Sequence, residues 1–156
     1  MTIILNPQSL AALKSLKGLA KFTRRGITSA MFEIGKDLRS TSRKKMQEPK
    51  HGHESIIRVR GRLPRRHIAS APGEAPAIRT GNLNVSVATE IHGGFDLKFG
   101  AGNNEKVIYA RYLELGNKTR NLKPRPFLKP SIDENDKNIR ERVLRGIKKY
   151  VEKGAK

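Results

Sequence analysis

The feature that most limits how this chain can fold is its excess of positive charge. It has 33 Lys and Arg against 14 Asp and Glu, a formal net charge of +19 on 156 residues. Such an excess repels itself in a folded monomer, and only 36% of the residues are hydrophobic to oppose that repulsion. We therefore expect one domain over 1–156 with a thin core, supplemented by burial against partner subunits and by contact with a polyanion or an acidic protein.

The residue types also limit where the chain acts. It has no Cys, which excludes disulfides, thiolate metal sites and a Cys nucleophile. Its start, MTIILNPQSL, has a short apolar run without preceding basic residues, unlike a signal peptide. No uninterrupted apolar stretch approaches the ~20 residues of a membrane span. We expect an intracellular protein that has no membrane partner.

Two helices are predicted near the N-terminus. Residues 8–17 form a short amphipathic helix that Gly18 ends, so that 1–18 is an N-terminal arm. A long helix follows over 19–49, where Pro49 stops it. Its apolar residues recur at helical spacing: Ile27, Ala30, Met31, Ile34 and Leu38.

A third helix is predicted over 131–153. Ser131 and Glu134 have the spacing of a capping box, and Asp133 and Asp136 favour the positive end of the helix dipole. Its apolar residues again follow one helical face: Ile132, Ile139, Val143, Ile147 and Val151.

The region between these helices, 54–128, is predicted to hold a small antiparallel sheet. Three short segments alternate apolar and polar residues as strands do: 56–60, 83–91 and 95–99. Residues 107–115 fit a strand or a helix, with Gly116 as the C-cap of the helix.

The segment 61–82 is rich in Pro and Gly and poor in apolar residues, which indicates an extended arm or a hairpin extension. The predicted fold class is therefore α+β, with the small sheet packed against long N-terminal and C-terminal helices.

Five arginines fall within nine residues: Arg58, Arg60, Arg62, Arg65 and Arg66. On a strand, the first three share one face with guanidinium groups about 7 Å apart, close to the phosphate spacing of a DNA strand. The alternative is a solvated edge strand whose charges prevent aggregation. The net charge favours contact with a polyanion or an acidic neighbour. Because no sequence-reading module is recognisable, we expect any DNA contact to be non-specific.

Residues that carry out catalysis are not grouped in this sequence. His51 and His53 lie beside Lys50 without a third ligand at a metal-site spacing, so we expect solvated loop histidines. Glu74 stands alone between prolines, and Ser70 has no nucleophile motif around it. We expect a protein that is not an enzyme, with no catalytic residues, no cofactor and no metal.

Three stretches, in this order and spacing, resemble a known family. They are HIASAPGEAPA at 67–77 with TGNL at 80–83, YARYLELG at 109–116, and RPFLKPS at 125–131. Together they resemble the tail-completion and neck proteins of long-tailed bacteriophages, the minor tail protein Z-like family, over residues 25–150. Arg79 and Asn117 depart from the pattern, where the family has an acid and Thr.

The resemblance implies a structural virion protein at the head–tail junction or upper tail, assembled in the host cytoplasm. It implies a ring of identical subunits, usually six, around a channel that double-stranded DNA traverses. The neighbours implied are head–tail connector, tail terminator or tail tube proteins. The alternative hypothesis is a non-specific DNA- or RNA-binding accessory protein that acts outside the particle.

The same three stretches supply the expected subunit interface. Residues 70–77 are stiff and extended, which suits a segment that lies on a neighbouring subunit. Phe127 is expected in the core, Tyr109 and Tyr112 in the core or at a subunit boundary, and Arg125 paired with Glu114. The full expected interface set is Ser70, Pro72, Glu74, Pro76, Tyr109, Tyr112, Glu114, Arg125 and Phe127.

Overall fold

The fold is known from a computed structural model, which describes residues 7–154 except 59, 62, 95 and 103–106. The elements follow in the order α1 (Pro7–Gln47), β1 (Glu54–Ile57), β2 (Arg65–Ile68), α2 (Asn82–Ser86), β3 (Ala88–His92), β4 (Asp96–Gly100), α3 (Ala110–Leu115) and α4 (Lys129–Gly154). The strands form two separate antiparallel pairs, β1 with β2 and β3 with β4. The predicted α+β class with long terminal helices is confirmed.

The chain divides into two units. Unit 1 comprises Met1–Ile34, Ile91–Leu97 and Lys137–Lys156, and unit 2 comprises Gly35–Glu90 and Lys98–Asp136. Both long helices contribute to both units, so the division does not separate two consecutive pieces of chain. The single domain over 1–156 stays a prediction.

The predicted helix break at Gly18 is wrong, because α1 runs without interruption from Pro7 to Gln47. Glycine keeps its backbone N–H and has no ring to clash, so one glycine costs a helix only about 1 kcal/mol relative to Ala. The end at Gln47 agrees with the stop expected from Pro49. The buried side chains of α1 recur at every fourth position: Ala30, Ile34, Leu38, Ser42 and Met46.

In unit 1, α1 and α4 cross where each helix has a glycine. A Cβ atom added to Gly26 would lie 2.6 Å from the carbonyl oxygen of Gly146, and one added to Gly146 would lie 2.7 Å from the carbonyl oxygen of Gly26. Two backbones can approach this closely only where neither residue has a side chain. The two glycines therefore set the distance between the helices of this unit.

In unit 2 the core surrounds Phe127, which is fully buried. Its buried companions come from the C-terminal part of α1, from the loop before α2, from α2 and the residue after it, and from α3 and the turn before it: Met46, Ala75, Leu83, Val87, Val107 and Ala110. The core of this unit is therefore assembled from segments far apart in sequence.

The first strand differs in its bounds from the strand predicted over 56–60, because β1 covers Glu54–Ile57. β1 ends at Ile57, and the chain reaches a turn at Arg60 and Gly61, where Gly61 has the positive φ (77°) of a left-handed turn residue. β2 pairs with β1 so that Glu54 lies opposite Ile68. The segment 61–82 was expected to be an extended arm or a hairpin extension. Its first part forms a hairpin, because β2 lies in this segment and pairs with β1.

The predicted strand 83–91 is wrong over its first half. α2 replaces it, and only β3 remains extended. Leu83 and Val87 are buried in either geometry, since positions i and i+4 share a face in a strand and in a helix. Val85 distinguishes the two, because it is 76% exposed and a strand would have placed it on the face of Leu83 and Val87.

The remaining elements are the helices α3 and α4. Residues 110–115 are helical, with Gly116 at the C-cap as expected for that alternative. α4 begins at Lys129, so the predicted capping box of Ser131 is wrong. The Ser131 hydroxyl is buried and donates to the Phe127 carbonyl, while Glu134 forms an ion pair with Lys45 (2.7 Å). Ile132 is exposed rather than part of the apolar stripe.

The glycine crossing predicts opposite effects of two Gly→Ala changes. A Cβ atom at Gly146 would force the helices apart, and overpacking of this kind costs about 1–3 kcal/mol. Because Ala also gains about 1 kcal/mol over Gly in a helix, we expect Gly146→Ala to lower the free energy of unfolding by up to about 2 kcal/mol. Urea unfolding followed by circular dichroism measures the change.

Gly18→Ala is the matched control, since in the described part of the chain no atom outside the surrounding helix backbone lies within 4 Å of the added Cβ atom. It is expected to raise the free energy of unfolding by up to about 1 kcal/mol. An increase for both variants would contradict the close approach of the two helices.

Candidate partner-binding site

The site expected from the sequence is built around one carboxylate in unit 2. Glu114, on α3, accepts hydrogen bonds from the backbone N–H groups of Phe127 (2.8 Å), Leu128 (3.1 Å) and Lys129 (2.9 Å). These groups lie at and just before the start of α4, where N–H groups have no partner within the helix and attract negative charge. Glu114 therefore fixes the start of α4.

The predicted pairing of Arg125 with Glu114 is wrong, because both oxygens of Glu114 accept from the backbone. The Arg125 backbone N–H instead donates to the Leu113 carbonyl at 2.7 Å. The Arg125 Nε atom is buried without a hydrogen-bond partner in the part of the chain that the structure describes.

A second carboxylate holds the loop 70–77. Glu74 accepts from the backbone N–H of Ala71 (2.8 Å), from the backbone N–H of His51 (3.2 Å) and from the His51 ring at Nδ1 (2.7 Å). The Ala71 backbone N–H and then the His51 contacts lower the pKa of Glu74 to about 2. His51 is exposed, as expected of a loop histidine, but the sequence did not predict its contact with Glu74.

The rest of this loop is anchored as well. The Gly73 N–H donates to the Pro124 carbonyl at 2.9 Å. Ser70 and Pro76 are buried, whereas Pro72 is exposed. Of the loop residues expected at a subunit interface, Pro72 is therefore the one that is exposed.

A pocket with a volume of about 500 Å³ lies among the segments that carry the resemblance. Met46, Leu83 and Leu113 give it apolar walls, and Arg79 and Arg125 contribute two cations. Asn84 also lines it, with a buried Oδ1 atom that lacks a hydrogen-bond partner in the described part of the chain.

Arg43 of α1 is a site residue that stands directly before two further basic residues, Lys44 and Lys45. Its guanidinium donates to the carbonyl oxygens of Asn84 (3.1 Å) and Val87 (3.3 Å) and so holds the end of α2. The sequence contains no signal for this role, because Arg43 belongs to a run of basic residues that all resemble surface charges.

The arginine row is not formed as predicted. Arg58 and Arg60 are exposed but lie beyond the end of β1, and Arg62 lies outside the described residues. Arg65 donates to the backbone carbonyl of Arg79. Arg66 forms an ion pair with Glu54, with Nη2 to Oε2 at 2.7 Å, and this hydrogen bonding lowers the pKa of Glu54.

The two tyrosines are more exposed than core packing requires. Tyr109 is 41% exposed and Tyr112 is 39% exposed, so of the two alternatives core packing is wrong, and the subunit boundary stays a prediction. Ile108 and Leu115 are exposed beside them in sequence, and the four side chains together are here called the α3 surface: Ile108, Tyr109, Tyr112 and Leu115. Apolar side chains exposed together in this way are typical of a contact with another protein.

Within the described ranges, no three His, Asp or Glu side chains are grouped so that they can hold a metal ion. None of the helices described is long and apolar enough to cross a membrane.

Comparisons with known proteins give no assignment. The chain matches no protein-family model, and no curated protein and no solved structure matches it. Any functional assignment therefore rests on the residues and on the geometry of the site.

The depressed pKa of Glu74 predicts how its contribution to stability depends on pH. Because the folded-state pKa is about 2 and the ordinary value is 4.5, ionised Glu74 stabilises the fold above pH 4.5. This contribution is lost as the pH falls from 4.5 through 2. We expect Glu74→Gln to unfold at a lower temperature than the parent protein at pH 7, with a smaller difference at pH 2.5.

Thermal unfolding followed by circular dichroism at several pH values measures this effect. Glu141→Gln is the control, because Glu141 is exposed on α4 and forms neither a hydrogen bond nor an ion pair with another described residue. A difference for Glu74→Gln that does not change between pH 7 and pH 2.5 would refute the role of the charge.

The Glu114 cap predicts a loss of stability on substitution. Glu114→Ala leaves three backbone N–H groups without their acceptor, and loss of a helix cap costs about 0.5–2 kcal/mol. Glu134→Ala is the control, since the Glu134 side chain is 58% exposed and surface ion pairs of the kind it makes with Lys45 are worth about 0–1 kcal/mol. Equal losses in urea unfolding would contradict the capping role.

Proposed function

We propose that the protein is a structural, non-enzymatic subunit of the neck or tail-completion complex of a long-tailed bacteriophage. It assembles with copies of itself into a ring at the head–tail junction, around the channel for double-stranded DNA. One observation carries the proposal: the three stretches that resemble the family converge in unit 2, although other segments separate them in sequence.

The convergence consists of direct contacts. The first stretch meets the segment before the third through the Gly73–Pro124 hydrogen bond. The second and third stretches meet through Glu114 and the backbone of residues 127–129. Ala75, Ala110 and Phe127, one from each stretch, belong to the same buried cluster. This is the behaviour expected if the resemblance reflects one folded assembly module rather than chance similarity of short segments.

The α3 surface is the best candidate for the contact between copies. Leu115 is 66% exposed and Ile108 is 63% exposed, next to the two half-exposed tyrosines. Tyr is one of the residues that supply much of the binding free energy at protein interfaces. The side chain of Arg120 lies 6.0 Å from the centroid of the Tyr112 ring and adds a cation at the edge of this surface.

The charge agrees with a subunit that neighbours DNA or acidic proteins in the particle. Arg58 and Arg60 are exposed and form no ion pair with a described residue, so they remain available to connector, terminator or tube proteins or to the DNA backbone. Arg65 and Arg66 have intramolecular partners and contribute less to such a contact.

Self-association tests the proposal. Size-exclusion chromatography with light scattering is expected to show a closed assembly of several copies, and Tyr112→Asp with Leu115→Asp is expected to shift it to monomer. Leu144→Asp is the control, because Leu144 is 68% exposed but lies on α4 away from α3 in the sequence. A parent protein that stays monomeric while it binds duplex DNA tightly would favour the accessory-protein hypothesis instead.

Deletion of the coding sequence from a phage that carries it tests the biological role. Heads and tails that accumulate unjoined, or tails with abnormal upper ends, are the expected outcome in electron micrographs. Normal, infectious virions after the deletion would refute the proposal.

A further inference from the structure

A second basic surface, which includes none of the arginines at 58–66, lies on α1 within unit 1. Lys21, Arg25, Ser29 and Phe32 are spaced by four, four and three residues, so they follow one face of the helix. Together with Tyr150 of α4 they line an open groove of about 620 Å³, which Arg24 and Thr28 also border. The five residues Lys21, Arg25, Ser29, Phe32 and Tyr150 are here called the α1 groove.

The cations of the α1 groove are not neutralised within the described part of the chain. Lys21 and Arg25 are exposed and have neither an ion pair nor a hydrogen bond with another described residue. The nearest acid in sequence, Glu33, lies 3.4 Å from the guanidinium of Arg142. The groove therefore presents two uncompensated positive charges one helical turn apart.

The aromatic residues of the groove distinguish it from an ordinary solvated basic surface. Phe32 is 65% exposed, which leaves most of its ring in water. Tyr150 is half-buried, and the Lys153 ammonium lies 5.9 Å from the centroid of its ring. An exposed ring in line with cations offers a flat apolar surface beside groups that bind anions.

We propose that the α1 groove binds single-stranded nucleic acid, with Lys21 and Arg25 on the phosphates and Phe32 and Tyr150 against the bases. Single strands combine a chain of phosphates with unstacked bases, and proteins bind them with basic grooves that contain aromatic side chains. In a duplex the flat faces of the bases are stacked on one another, so a protruding Phe gains little there. The Ser29 hydroxyl can donate to a phosphate oxygen.

This inference does not rest on the proposed function, because it concerns other residues in the other unit. The arginine run of residues 58–66 has no interleaved aromatic residues on which bases could stack. In unit 1 the rings come from two helices, and the separation of Phe32 and Tyr150 in sequence hides their proximity.

Fluorescence anisotropy with three labelled probes tests the inference on the full chain. The probes are an oligothymidylate of about 20 nucleotides, a duplex of the same length and an oligoglutamate peptide, since binding sites for single strands span about 4–16 nucleotides per module. We expect the oligothymidylate to bind most tightly at equal salt. Equal or tighter binding of the duplex or of the oligoglutamate would overturn the assignment to single strands.

Two variants separate the phosphate contacts from the stacking. Lys21→Gln with Arg25→Gln is expected to flatten the dependence of log K on log[salt] by about 0.7 for each lost phosphate contact. Phe32→Ala is expected to weaken oligothymidylate binding about tenfold with an unchanged salt slope, because stacking releases no counterions. Phe32→Tyr keeps a ring and is expected to retain the affinity.

The matched controls remove similar groups elsewhere. Lys118→Gln with Lys123→Gln removes two exposed charges from unit 2, and Leu144→Ala removes an exposed apolar side chain from α4. Neither is expected to change the affinity or the slope by as much as its groove counterpart. Equal effects of groove and control variants, with circular dichroism showing all of them folded, would refute the site.

Discussion

The interaction on which unit 2 depends is the capture of three backbone N–H groups by the Glu114 carboxylate. It attaches α3 to the residues that begin α4 and holds Phe127 where its ring fills the core. Without an acceptor, these N–H groups would be left unpaired at a helix start beside a buried ring, which is costly. The packing around Phe127 and the start of α4 therefore follow from one side chain.

The excess of positive charge acts on the whole molecule in a related way. Several of the few acids are engaged inside their own unit, each with a cation, a ring nitrogen or backbone N–H groups: Glu33, Glu54, Glu74, Glu114 and Glu134. Acids used in this way hold loops and helix ends in place, but they leave many Lys and Arg side chains without a partner of opposite charge. The intramolecular contacts of these acids stabilise the fold, and the Lys and Arg side chains that they leave unpaired make the outer surface attractive to anions.

Sequence periodicity predicted the long helices and, with the order of the elements, the α+β class, because amphipathic spacing over many residues has few competing explanations. It failed where two geometries share a pattern. Leu83 and Val87 fit a strand or a helix equally, and only the exposure of Val85 identifies α2. It also failed at Gly18, where a helix continues through a glycine because its neighbours on both sides keep their hydrogen bonds.

The sequence by itself determined the net charge, the long terminal helices and the order of the three family-like stretches, since these depend on residue types and local spacing. Only the tertiary structure decided that Glu114 caps α4 rather than pairing with Arg125, that Glu74 and His51 are partners, and that Phe32 and Tyr150 border one groove. Such contacts join residues distant in the chain, and a carboxylate or a ring carries no local signal of the partner it will meet. A charged or aromatic side chain acquires its role from the neighbour that folding places beside it.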